Sequence, residues 1–156
     1  MTYSWVRRGE RKRVPYENPQ GRRLNVLAAT VETAGATELH WLPVRRSLDA
    51  VDLIGCLEQL ADPAQPTVVV LDNASFHRAR EVREALPRLR EQQVYLYYLP
   101  PYSPELNDIE RLFRTIKHHE LPERTYITLD VLHEAVHRAF ARYEYARCPK
   151  PASLRG

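Results

Sequence analysis

Two short apolar runs, Thr67–Leu71 (TVVVL) and Val94–Leu99 (VYLYYL), constrain the fold of this chain more than any other feature. Unbroken runs of β-branched and aromatic residues are the pattern of strands buried on both faces. Between them, residues 76–92 place Val82, Ala85, Leu86 and Leu89 on one side of a helix, with Pro87 positioned to kink it. A strand–helix–strand unit of this kind requires parallel strands and a right-handed crossover. Ligands and catalytic groups gather at the carboxyl ends of such strands. The first run is followed directly by Asp72 and Asn73.

The flanking segments extend this unit into a mixed α/β sheet flanked by helices. Leu24–Thr33 (LNVLAATVET) reads as a strand, Ala34-Gly35-Ala36 as a turn and Glu38–Val44 as the returning strand, with Pro43 near its end. Ser47 is placed to cap a helix whose stripe is Leu48, Val51, Ile54, Leu57 and Leu60, ended by Pro63 and Pro66. After the second apolar run come Pro100, Pro101, Tyr102, Ser103 and Pro104. A helix capped by Asn107 follows, with Ile109, Leu112, Phe113 and Ile116 on its apolar face. The last helix begins after Thr128 and carries Leu129, Leu132, Val136, Ala139, Phe140 and Tyr143. The chain of 156 residues divides into a basic segment at 1–23, one folded domain at 24–147 and a tail at 148–156.

Apolar residues make up 44% of the chain, enough for a real core, and no apolar run approaches a membrane span. No signal peptide is visible at the start. Cys56 and Cys148 have neither metal-ligand spacing nor a disulfide pattern, so a reducing cytoplasm is the default location. The net charge of +3 is concentrated at the start. Arg7, Arg8, Arg11, Lys12, Arg13, Arg22 and Arg23 stand there against only Glu10 and Glu17, and the rest is mildly acidic. Such an arm can engage phosphates by counterion release; it can equally be a solvated terminus.

Asp72 lies at a strand's carboxyl end, and Glu110 lies in the first turn of the helix after the next strand. On neighbouring strands the two carboxylates would meet over one edge of the sheet. Acids brought together in low dielectric need a compensating cation, and hard oxygen donors favour Mg²⁺ or Mn²⁺ over zinc. Each acid also has a plainer reading. Asp72 is a turn former, and Asn107-x-x-Glu110 fits a capping box. His77, His118 and His119 have no zinc spacing and read as surface or capping residues. Tyr95, Tyr97 and Tyr98 read as core rather than base-stacking residues, and Arg114 and Lys117 as a solvated helix face that could meet DNA.

Two stretches, VVVLDNASFHRA and YLPPYSPELNDIERLFRTIK, resemble the bacterial insertion-sequence transposases of the mariner superfamily. That family's second catalytic Asp opens a DN-x-x-x-H stretch, matched by Asp72, Asn73 and His77. Its third acid ends a PPYSP-x-LNPIE stretch, matched by Pro100, Pro101, Tyr102, Ser103, Pro104, Leu106, Asn107, Ile109 and Glu110. The resemblance implies a ribonuclease H-like fold and an Asp-Asp-Glu site binding Mg²⁺ or Mn²⁺. It also implies cleavage and strand transfer on double-stranded DNA, both transposon ends and target. Asp72 and Glu110 would be the catalytic metal ligands, and Arg7, Arg8, Arg11, Lys12, Arg13 and Lys117 the DNA contacts.

Two positions depart from the family pattern. Asp108 replaces its Pro, which still suits a helix's first turn. The family's first Asp lies on an opening strand upstream of a Trp-x-x-x-Gly segment, and this sequence begins at that segment, Trp5 to Gly9. In the implied fold that strand is central, between residues 24–33 and 67–71. Its absence would leave two open strand edges and an incomplete ligand set. The expectation is thus a transposase catalytic domain that is inactive alone, completed by an upstream transposase segment or a second copy. The alternative is a non-catalytic DNA-binding or dimerisation remnant. A small-molecule-binding α/β domain finds no support, because the five glycines form no phosphate loop.

Overall fold

The computed structural model describes residues 23–101, 103–121 and 126–148. The basic side chains from Arg7 to Arg22 lie outside them, as do most of the tail. β1 (Asn25–Thr33) pairs antiparallel with β2 (Ala36–Val44), in a register running from Asn25 opposite Val44 to Thr33 opposite Ala36. The hairpin closes through Ala34 and Gly35, and Gly35 has φ +88°, a conformation that L side chains adopt only with strain. β2 begins two residues earlier than the apolar pattern indicates, and Pro43 sits near its end, opposite Val26.

α1 (Ala50–Gln59) is capped by Asp49, not Ser47. The Asp49 carboxylate accepts from the amides of Val51 (2.9 Å) and Asp52 (3.1 Å), and Asp52 returns the bond to the Asp49 amide (3.1 Å). Counting three residues from Ser47 reaches Ala50, which has no group to return, so the reciprocal box forms only from Asp49. Arg46 grips the Asp52 carboxylate with two bonds of 2.7 Å and holds its pKa below the usual range. The buried stripe shifts accordingly to Ala50, Leu53 and Leu57, and Val51 is exposed.

β3 (Thr67–Leu71) and β4 (Val94–Tyr98) are parallel neighbours, with Val68 opposite Tyr95 and Leu71 opposite Tyr98. Between them a 3₁₀ turn (Ser75–Arg78) precedes α2 (Arg80–Glu91). α2 therefore starts later than the periodicity indicates. It buries Val82, Ala85 and Leu89, and keeps Pro87 inside the helix on its exposed side. α3 (Asp108–Thr115) runs into a π-helical turn (Ile116–Glu120), and α4 (Leu129–Arg147) follows Thr128, whose side chain accepts from the Val131 amide at 3.2 Å.

These elements form two separate two-stranded sheets, β1–β2 and β3–β4, rather than one mixed sheet. Each sheet has its own core. Leu53, Leu57, Val82, Leu89 and Val94 join α1 and α2 to β3 and β4. Leu39, Leu112, Ile116, Val136, Ala139 and Phe140 join β2, α3 and α4. Among the described residues no strand bridges β1 and β3, and each leaves one edge unpaired.

The expectation that β3 and β4 are buried on both faces is not met. α1 and α2 cover one face only. On the other, Val68, Val70, Tyr95 and Tyr97 are 65%, 54%, 45% and 59% exposed. Tyr95 and Tyr97 are thus not core residues, and only Tyr98 packs against the first core. Cys56 and Cys148 are free thiols, one against each half of the molecule, and burial pushes both pKa values up. No helix among the described residues is long and apolar enough to cross a membrane.

Candidate functional site

The parallel pair β3–β4 is zipped past its last residues. The Leu99 amide donates to the Leu71 carbonyl (2.8 Å), and the Asn73 side-chain amide donates to the Leu99 carbonyl (2.7 Å). These bonds fix where the Pro100-Pro101 loop leaves the sheet. The chain then crosses to α3, whose first turn carries Glu110. The result is a cleft of about 440 Å³ at the carboxyl ends of both strands. Asp72, Asn73 and Leu99 line one side, and Ser103, Asn107 and Glu110 the other.

The two acids arrive from different cores. Asp72 extends the strand of the first, and Glu110 stands on a helix of the second. The plainer readings fare differently for each. Asp72 is indeed a turn former, because its Oδ1 accepts from the Ala74 amide at 2.9 Å. Glu110 is not part of a capping box. Asn107 makes no side-chain cap bond, and the Glu110 amide bonds to the Asn107 backbone carbonyl instead (3.1 Å). The Glu110 carboxylate is exposed to the cleft and has no hydrogen-bond or ion-pair partner among the described residues.

His77 is placed differently from the sequence reading. It is not a surface residue: it is 9% exposed and directed at Asp72, with Nδ1 2.8 Å from Asp72 Oδ1. The DN-x-x-x-H spacing was the available signal, because one 3₁₀ turn after an Asp brings the fifth residue back over it. His118 and His119 are exposed on the π-helical turn, as is Lys117, away from the cleft-lining residues. Asp108 pairs with Arg111 at the surface (3.6 Å), and neither Asp108 nor Glu105 lines the cleft.

As a donor set, the cleft offers the Asp72 and Glu110 carboxylates, and the Oδ1 atom of neighbouring Asn73 is buried without a hydrogen-bond partner. Hard oxygen groups of this kind fit a divalent cation such as Mg²⁺ or Mn²⁺. Among the described residues no group of three or more His, Cys, Asp or Glu side chains is placed to hold a metal ion.

A small mixed α/β scaffold with two acids lining one cleft beyond a pair of parallel strands is consistent with a nuclease domain. The family model described as DDE superfamily endonuclease matches residues 1–133, and the chain belongs to that family. It is therefore a DDE-type transposase domain, whose family generally uses divalent metal ions and acts on DNA. No curated protein matches the chain.

Proposed function

We propose that this domain serves DNA cleavage and strand transfer in transposition, as in the mariner-superfamily transposases of bacterial insertion sequences, and that Asp72 and Glu110 are two of its three metal-binding carboxylates. The observation that carries the reading is the shared cleft. Two acids from separate cores line one cavity beyond the ends of β3 and β4. A ribonuclease H-like arrangement follows if one further strand seats between β1 and β3, each of which has an edge unpaired among the described residues. That strand would bring the third acid, from an upstream transposase segment or from a second copy of the chain.

Bound there, Mg²⁺ or Mn²⁺ would activate an attacking water or 3′ hydroxyl and neutralise charge on the leaving oxygen. Asp72 and Glu110 would hold the cation, and Asn73 would keep the Asp72 turn tied to the loop that leads to Glu110. The domain at 24–147 carries this site in the cytoplasm. The basic segment at 1–23 and Lys117 contact the phosphates of double-stranded DNA, and 148–156 is a tail. With two ligands the chain alone has little or no activity.

A second reading, a non-catalytic dimerisation or DNA-binding remnant, is favoured by the exposed apolar face of Val68, Val70, Tyr95 and Tyr97. Nicking of supercoiled plasmid in Mn²⁺ separates the two. It is measured for the chain with and without a peptide carrying an acid on an apolar strand. The catalytic reading expects nicking only with the peptide, and loss of it in Asp72→Asn and Glu110→Gln. Continued silence, or nicking indifferent to both substitutions, would overturn it.

A further inference from the structure

We infer that His77 is a positioning residue that pins one oxygen of Asp72, so that Asp72 meets a divalent cation through Oδ2 alone. The inference rests on the metal-site reading above and adds a residue and a ligation mode to it.

The imidazole Nδ1 lies 2.8 Å from Asp72 Oδ1 and 3.2 Å from the Asp72 backbone carbonyl. A carbonyl oxygen only accepts, so Nδ1 must carry the proton. The same Oδ1 also accepts from the Ala74 amide at 2.9 Å. Oδ1 thus takes the Ala74 amide proton and has the imidazole Nδ1 2.8 Å away, while the imidazole bonds the Asp72 carbonyl. Oδ2 has no partner among the described residues, and Asp72 lines the cleft. A carboxylate left to rotate would offer either oxygen, or both.

His77 is itself held in place. Its carbonyl accepts from the Tyr98 hydroxyl at 2.8 Å, which ties the 3₁₀ turn to β4. Its amide donates to the Ala74 carbonyl at 3.0 Å, and its ring meets Phe76 edge-on, with centroids 4.2 Å apart. A side chain 9% exposed with this many fixed contacts cannot follow Asp72 if the carboxylate turns. The restraint therefore runs from β4 through His77 to Asp72. Partners of this kind orient a ligand before the metal arrives, and their loss typically costs about 10- to 100-fold in metal affinity.

The test is a Mn²⁺ titration of the full ¹⁵N-labelled chain, following paramagnetic broadening of the Asn73 and Ala74 amides. Wild type is compared with Asp72→Asn, His77→Leu and His77→Asn. The first variant loses the broadening. His77→Leu fills the space without a donor and weakens Mn²⁺ by about tenfold or more. His77→Asn, whose side-chain amide can donate from near the Nδ1 position, stays close to wild type. Asp72→Asn behaving like wild type would overturn the metal-site reading itself. Loss in Asp72→Asn with wild-type affinity in His77→Leu would overturn the positioning role alone, as would equal weakening by Leu and Asn in folded proteins. Should His77→Leu fail to fold, the imidazole ¹⁵N shifts of the wild-type chain decide independently. A proton on Nδ1 is expected, and a proton on Nε2 alone would overturn the inference.

Discussion

Replacing Phe140 by alanine should loosen one half of this molecule and leave the other intact. Phe140 is 2% exposed on α4. It stacks on Trp41 of β2, with centroids 5.7 Å apart and planes at 28°, and meets Phe113 of α3 edge-on at 5.9 Å. It is thus the side chain through which strand, helix and helix of the second core touch. Truncating a buried Phe to Ala costs roughly 3–5 kcal/mol, because transfer free energy is lost and a cavity remains. Loss of two aromatic pairs puts this site toward the upper end, about 5 kcal/mol. Domains of this size are stable by only about 5–15 kcal/mol, so the change removes a large share of whatever holds that core. Amide exchange read by mass spectrometry checks the location of the damage. Protection should fall across β2, α3 and α4, and hold in α1, α2, β3 and β4, because Phe140 belongs to a cluster that includes none of the latter. An equal fall in both halves would mean a single cooperative core and would refute the division.

Two further outcomes follow from the same geometry. Arg46 lowers the Asp52 pKa by hydrogen bonding, so the stability this carboxylate contributes is complete above the ordinary Asp range near about 4 and fades as pH falls through its lowered folded value. Urea denaturation should show the gap between wild type and Asp52→Asn narrowing on acidification, and a gap that does not narrow would count against the Arg46–Asp52 contact as its source. Val70→Lys, on the open face of β3, should change stability by no more than about 0.5 kcal/mol in urea denaturation. A loss of several kcal/mol would mean that the face is packed.

Much of this was legible from local pattern. The hairpin, the parallel pair and the four helices follow from period and turn chemistry, as does the meeting of Asp72 and Glu110 at one end of the parallel strands. Ser47 failed as a cap because a single oxygen-bearing side chain says nothing about reciprocity, and only Asp49 has a partner three residues on. Val68 and Val70 misled because a run of valines reads the same whether or not a second layer covers it. Burial on the far face is decided by what lies across it, and α1 and α2 both pack on one side. His77 was misjudged because a histidine in a polar stretch carries no mark of depth. Its burial comes from the 3₁₀ turn that folds it over Asp72 and the Tyr98 hydroxyl that holds the turn down.

The division into two cores bears directly on how the cleft can work. Asp72 is fixed closely to its own half by Ala74 and His77, and that half reaches the end of β4 through Asn73 and Leu99. Glu110 is fixed to the other half by the packing of Ile109, Leu112 and Phe113. Between them runs the Pro100–Asn107 segment, in which the side-chain bond expected at Asn107 is not made. Each acid is therefore well placed within its own half, and the chain passes between the halves twice, at the β2–α1 junction held by Arg46 and Asp52 and at the segment from β4 to α3. A cation coordinated by both tolerates only a narrow separation, since its oxygen ligands sit at about 2.0–2.6 Å. A strand paired on one side with β1 and on the other with β3 would set that separation through two ladders of backbone hydrogen bonds. A segment paired with both sheets would hold Asp72 and Glu110 at a fixed distance, because each acid is already fixed within its own half.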